Sequence, residues 1–171
     1  MIRMTDLLRE TQYAPLYHAT TYVKFLSIIN DNKIKPNKLG YIFLTRDKNY
    51  KVGGETTPIV FKVDQEKIRQ RYKIFPRVGD IANKNKRVEA EEVVKGQIPL
   101  EWVEEIQVPK QIIDRIKEQI QTSEEGIEWA KQQYVKTKDK RFQKGIETRQ
   151  KDIEIYKKIL NHPKLSITPN N

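Results

Sequence analysis

The sequence predicts an α+β fold in two parts: a mixed or split β-sheet body over residues 1–109 and a helical hairpin tail over residues 110–171. Three observations carry this. Up to Pro109 the chain holds short apolar runs rich in Ile, Val, Phe and Tyr, bounded by Gly, Pro, Asn and Asp. Beyond Pro109 it is rich in Gln, Glu and Lys, with apolar residues at helical spacing. Only one clear amphipathic helix interrupts the strand-like runs, which argues against a doubly wound sheet.

The first strand is residues 15–19 (PLYHA). Thr20 or Thr21 then caps a helix through about Asn30, with Tyr22, Phe25, Leu26 and Ile29 on one face. Strand-like runs follow at 40–45 (GYIFLT), 58–63 (PIVFKV), 72–75 (YKIF), 87–94 (RVEAEEVV) and 103–108 (VEEIQV). Loops are expected at 46–57, marked by Gly53 and Gly54, and at 77–86, marked by Gly79 and Asn83. In the tail, Ile112, Ile113, Ile116 and Ile120 mark a first helical face, and Ser123 caps a continuation through Ile127, Ala130 and Tyr134. A last helix repeats through Phe142, Ile146, Arg149, Ile153, Tyr156 and Leu160, a heptad-like seam interrupted by arginine. Two or three helices result, folded as a hairpin or serving as a homodimer contact. Residues 162–171 read as a frayed end.

Composition narrows the chemistry. The 171 residues suffice for one domain with an appendage, and no apolar run approaches the length of a membrane span. Residues 1–6 (MIRMTD) lack an apolar signal core, so a cytoplasmic protein is expected. The absence of cysteine excludes disulfides, thiolate catalysis and thiolate zinc sites, and two histidines make a histidine-rich metal centre implausible. The formal net charge of +10 favours polyanionic partners, DNA or RNA foremost. Interspersed Lys and Glu also serve plain solubility, which weighs about evenly against that reading. There is no phosphate-cradling Gly-rich loop, no Gly-x-Ser-x-Gly elbow and no His-Glu-x-x-His.

Three short constellations remain. Leu16-Tyr17-His18-Ala19-Thr20 puts a histidine at a strand end, where one ring nitrogen can face a ligand while the scaffold holds the other. An isolated histidine there is more commonly a satisfied core residue. Phe43-Leu44-Thr45-Arg46-Asp47, followed by Tyr50, offers a hydroxyl and a forked cation suited to an anionic ligand. Taken alone, solvated charges at a strand end explain it more simply. Glu89-Ala90-Glu91-Glu92-Val93-Val94 places poor strand formers in a strand, which charged edge strands also do. Alternation sends Glu92 to one face and Glu89 and Glu91 to the other.

Taken together and in this order, the three resemble the ADP-ribosyltransferase superfamily, and within it the His-Tyr-Glu branch of diphtheria-toxin-like enzymes and poly(ADP-ribose) polymerases. The opening LYHATTYVKFLSIINDNKIKP is similar to the start of DNA-targeting ADP-ribosyltransferase toxins and tRNA 2′-phosphotransferases. EAEEVVKGQIPLEWVEEI is similar to small ADP-ribosyltransferase-like proteins of bacteria and phages. The resemblance covers roughly residues 13–108.

It implies an ADP-ribosyltransferase-type split sheet, NAD as substrate and a mono-ADP-ribosyltransferase acting on a macromolecule, nucleic acid or a nucleic-acid-associated protein. It implies that His18 binds ribose with Tyr17 and Thr20 beside it. Glu92 becomes the catalytic carboxylate, with Glu91 as runner-up because a register error of one residue swaps their faces. Thr45 and Arg46 join the cofactor site, Arg46 meeting the pyrophosphate, and Tyr50, or second to it Tyr41, stacks on nicotinamide. Ala90 stands where arginine-directed toxins carry a glutamate, so arginine is not the implied acceptor. No metal is implied. The alternatives are a non-catalytic nucleic-acid or protein-binding module on the same scaffold, and a tRNA 2′-phosphotransferase-like enzyme, for which the extra phosphate-pocket arginines are missing.

Overall fold

The computed structural model describes residues 15–49, 58–76 and 91–169. Two compact units divide between Gln107 and Val108. The fold is α+β with a C-terminal helical hairpin.

In the first unit, six strands lie in the order β5-β6-β3-β1-β4-β8. They are β1 (Leu16–Thr20), β3 (Tyr41–Thr45), β4 (Ile59–Val63), β5 (Ile74–Pro76), β6 (Glu91–Lys95) and β8 (Val103–Pro109). β1 runs antiparallel to β4 along its whole length, from Leu16 opposite Val63 to Thr20 opposite Ile59. β3 is likewise antiparallel to β6, from Tyr41 opposite Lys95 to Thr45 opposite Glu91. β2 (Lys33–Ile34) and β7 (Ile98–Pro99) form a separate two-stranded sheet, pinned by the Leu100 N–H donating to the Asn32 carbonyl at 3.0 Å.

The strands form where the apolar alternation stood. Leu16, Ile42, Leu44, Phe61, Val94 and Ile106 are buried together with Phe25, Ile28 and Ile29 of helix α1 (Tyr22–Asp31). The helix turns Ile28 inward, whereas the expected face held Tyr22 and Leu26, both of which are half-buried. Thr21 occupies the N-cap position without a side-chain capping bond. The helix closes at Asn32, whose left-handed backbone (φ 55°) lets its N–H reach the Ile28 carbonyl.

A second helix in this unit, α2 (Gln65–Arg71), was not expected. Asp64 starts it by accepting from the Lys67 N–H at 3.1 Å. The loop expected at 77–86, the Gly53-Gly54 loop and residues 87–90 of the glutamate strand lie outside the described residues.

The second unit is a hairpin of α3 (Lys110–Thr137) and α4 (Lys140–Leu160), followed by β9 (Leu165–Thr168). The cap expected at Ser123 does not form, because α3 runs unbroken through it. Ile113, Ile116, Ile127 and Ala130 are buried along α3, and Ile153 and Ile159 along α4. Ile159, rather than the expected Leu160, takes the innermost position, while Leu160 is half-buried. Asp139 caps α4, accepting from the Arg141 N–H at 2.8 Å. The end expected to fray is corrected at Leu165–Thr168. His162 turns the chain there, its Nδ1 accepting from Lys164 N–H and its carbonyl from Leu165 N–H.

Candidate functional site

The site begins where β1 and β3 part. They pair at Tyr17 opposite Thr45. On the Thr20 side of that pair a side chain spans the gap: His18 Nδ1 lies 3.0 Å from the Phe43 carbonyl oxygen. Carbonyl oxygen only accepts, so Nδ1 carries the hydrogen and the neutral ring keeps a lone pair on Nε2. Burial holds His18 below the ordinary histidine range, opposed by this bond and reinforced by the nearby Lys24 charge.

A cleft of about 260 Å³ opens at this point. His18 and Thr20 line it from β1, Tyr41, Ile42 and Phe43 from β3, Lys24, Ser27 and Ile28 from α1, and the segment 33–37 completes it. Thr20 is 1% exposed, and its Oγ1 is buried with no hydrogen-bond partner. A buried hydroxyl left in this state costs about 1–3 kcal/mol unless something in the cleft satisfies it. Asn37 shapes the rim, its Oδ1 accepting from the N–H groups of Leu39 and Tyr41.

Arg46 and Glu92 meet elsewhere. Arg46 donates from Nε to Glu92 Oε1 at 2.8 Å, with Nη2 at 2.6 Å from the same oxygen. Arg46 Nη1 also lies 3.5 Å from Oε1 of the buried Gln65 at the start of α2. The second carboxylate oxygen, Oε2, is buried without a hydrogen-bond partner. Glu92 stands opposite Leu44 in the β3–β6 ladder. One step from Tyr17 and Thr45, His18 comes beside Leu44, so alternation puts His18 and Glu92 on one sheet face. With β3 between them, their strands are roughly 10 Å apart.

The residues singled out in the sequence therefore sort into groups. His18, Thr20 and Tyr41 line the cleft. Glu92 shares the His18 face but is engaged by Arg46, so Arg46 is a partner of the carboxylate and does not line the cleft. Tyr17 and Thr45 sit opposite each other on the other face, where the Thr45 hydroxyl accepts from the Asp47 N–H at 3.1 Å. Glu91 is opposite Thr45 in the backbone register. Tyr50 lies outside the described residues.

No protein-family model matches the chain, and no curated protein does.

Sequence reasoning missed Gln65, Lys24 and Lys33. Gln65 begins a helix that was not anticipated, and the lysines gave no signal because lysine on a helix or short strand ordinarily faces solvent. Among the described residues no three His, Asp or Glu side chains gather to hold a metal ion, and no helix is long and apolar enough to cross a membrane.

Proposed function

We propose that this chain is an NAD-dependent mono-ADP-ribosyltransferase, acting in the cytoplasm on nucleic acid or on a protein bound to it. The observation that carries the reading is the cleft between β1 and β3, with His18 inside it and Glu92 on the same sheet face two strands away. In the reaction, the bond between nicotinamide nitrogen and ribose C1 breaks and its electron pair leaves with nicotinamide. A nucleophile of the acceptor then bonds to C1 and gives up its proton.

The residues fit these needs. The Nε2 lone pair of His18 and the unpartnered Thr20 hydroxyl suit ribose hydroxyl groups. The free oxygen of Glu92 suits a ribose hydroxyl and the positive charge that develops on the ring as the bond breaks. The net charge of +10 supports an anionic acceptor.

One observation favours the second reading, a non-catalytic binding module for nucleic acid or protein. Arg46 already neutralises Glu92. Labelled NAD, offered with DNA, RNA or cell lysate to wild type, to Glu92→Gln and to a variant in which the exposed lysines of the hairpin, Lys136, Lys138, Lys140 and Lys144, are changed to Ala, separates the two. Label on a macromolecule that disappears in Glu92→Gln supports the transferase. Absence of turnover, together with nucleic-acid binding that survives Glu92→Gln and is lost in the lysine variant, supports the module.

A further inference from the structure

We propose that the cleft holds the phosphate groups of a nucleotide at its mouth through Lys24 and Lys33. This deepens the transferase reading by assigning phosphate-binding residues that the sequence does not single out.

Three cations line the cleft, Lys24, Lys33 and Lys35, and no carboxylate does so among the described residues. Lys35 is already paired, its Nζ 2.7 Å from Asp31. Lys24 and Lys33 have no such partner among the described residues. Two ammonium groups without an acidic partner among the described residues, one from α1 and one from β2, make a focused positive field. The pairing of Lys33 with Pro99 fixes the strand that carries the second.

The inner end of the cleft has the opposite character. It is uncharged but offers hydrogen bonds: the 99%-buried Thr20 hydroxyl without a partner, and the lone pair of a histidine whose other nitrogen is held by the Phe43 carbonyl. A ligand that satisfies both ends carries hydroxyl groups on one side and negative charge on the other. Nucleoside phosphates have this layout. At about 260 Å³ the cleft lies just below the range of about 300–1,000 Å³ that larger ligands occupy, so it suits one nucleotide half rather than a whole dinucleotide. Arg46, implied by resemblance as the pyrophosphate contact, is held on Glu92, which leaves the phosphates to the two lysines.

The test is calorimetric titration of the full chain with ADP-ribose, adenosine and inorganic pyrophosphate. It is repeated on Lys24→Ala, Lys33→Ala, the double variant and Lys33→Arg, with thermal melts to verify folding. ADP-ribose should bind at least tenfold tighter than adenosine. Each alanine should weaken ADP-ribose about tenfold, or about 1.4 kcal/mol, and leave adenosine unchanged. Lys33→Arg should recover most of the loss, and added salt should weaken ADP-ribose less in the double variant than in wild type.

Three results overturn the proposal: ADP-ribose binding no tighter than adenosine, equal ADP-ribose binding by wild type and double variant, or no binding of any probe. NAD turnover separates this failure from that of the transferase reading. Lysine-dependent ADP-ribose binding without turnover sinks the transferase and keeps the phosphate site. Turnover indifferent to both lysines does the reverse.

Discussion

Arg46 and Glu92 can be uncoupled one side chain at a time. Glu92 Oε1 takes two guanidinium contacts, at 2.8 and 2.6 Å, and the side chains are only 24% and 18% exposed. A solvent-exposed pair is worth about 0.2–1 kcal/mol, whereas hydrogen bonds to a charged group away from water contribute about 1.5–3 kcal/mol. Glu92→Gln removes the charge but keeps the shape, so a loss of about 1.5–3 kcal/mol is expected. Arg46→Met should cost more, about 3 kcal/mol, because it strands a part-buried carboxylate whose other oxygen is buried and already lacks a partner. The double variant carries two neutral side chains of similar volume and should lose less than the sum, with a coupling energy of about 2 kcal/mol. Urea unfolding of the four proteins gives this number directly. Coupling below about 0.5 kcal/mol would refute the reasoning, since the pair would then behave like a surface contact.

Two further outcomes follow from geometry already described. Gly96 sits at φ +135°, and a Cβ there would lie 2.6 Å from the Tyr72 ring, whose hydroxyl donates to the Gln97 carbonyl at 2.9 Å. Gly96→Ala should therefore cost about 2–4 kcal/mol through backbone strain plus the displaced bond, and a thermal melt showing under about 1 kcal/mol would contradict it. His18 is held below its ordinary value of 6.5 chiefly by burial, so above that pH the folded and unfolded chains are alike at this site. As pH falls through 6.5 the unfolded chain takes up a proton that the folded chain does not, and stability drops. Urea midpoints compared between pH 7.5 and 5.5 should fall less in His18→Gln than in wild type, whereas parallel falls would show that His18 is not kept neutral.

The legible parts of the fold were those set by local pattern. β1, β3, β4 and β8 follow runs of β-branched and aromatic residues, and their ends lie within a residue or two of the expected ones. α2 was hidden because its seven residues offer a single fully buried apolar side chain, Ile68, too little to display a period. β2 and β7 have two residues each and exist only because they pair with each other across the fold. Within the site, His18 and Thr20 were legible from their place at a strand end beside a helix. Arg46 was read as free for an anionic ligand because nothing local shows its partner, a carboxylate 46 residues away. Lys24 and Lys33 reach one cleft from different elements, a convergence that only the tertiary fold creates.

The hairpin carries one mismatch of size that sets its alignment. A Cβ on Gly126 of α3 would lie 2.8 Å from Nε of Arg149, and Arg149 Nη1 lies 3.4 Å from the Gly145 carbonyl. The longest side chain of the α4 seam is thus accommodated where α3 has none. Sliding α4 by one heptad would set Arg149 against Gln119 or Gln133, both of which fill that space. A repeating apolar seam by itself permits several alignments of nearly equal energy; a notch and a key at one level favour one of them, so the two helices are indexed to each other like a vernier with one coincident mark.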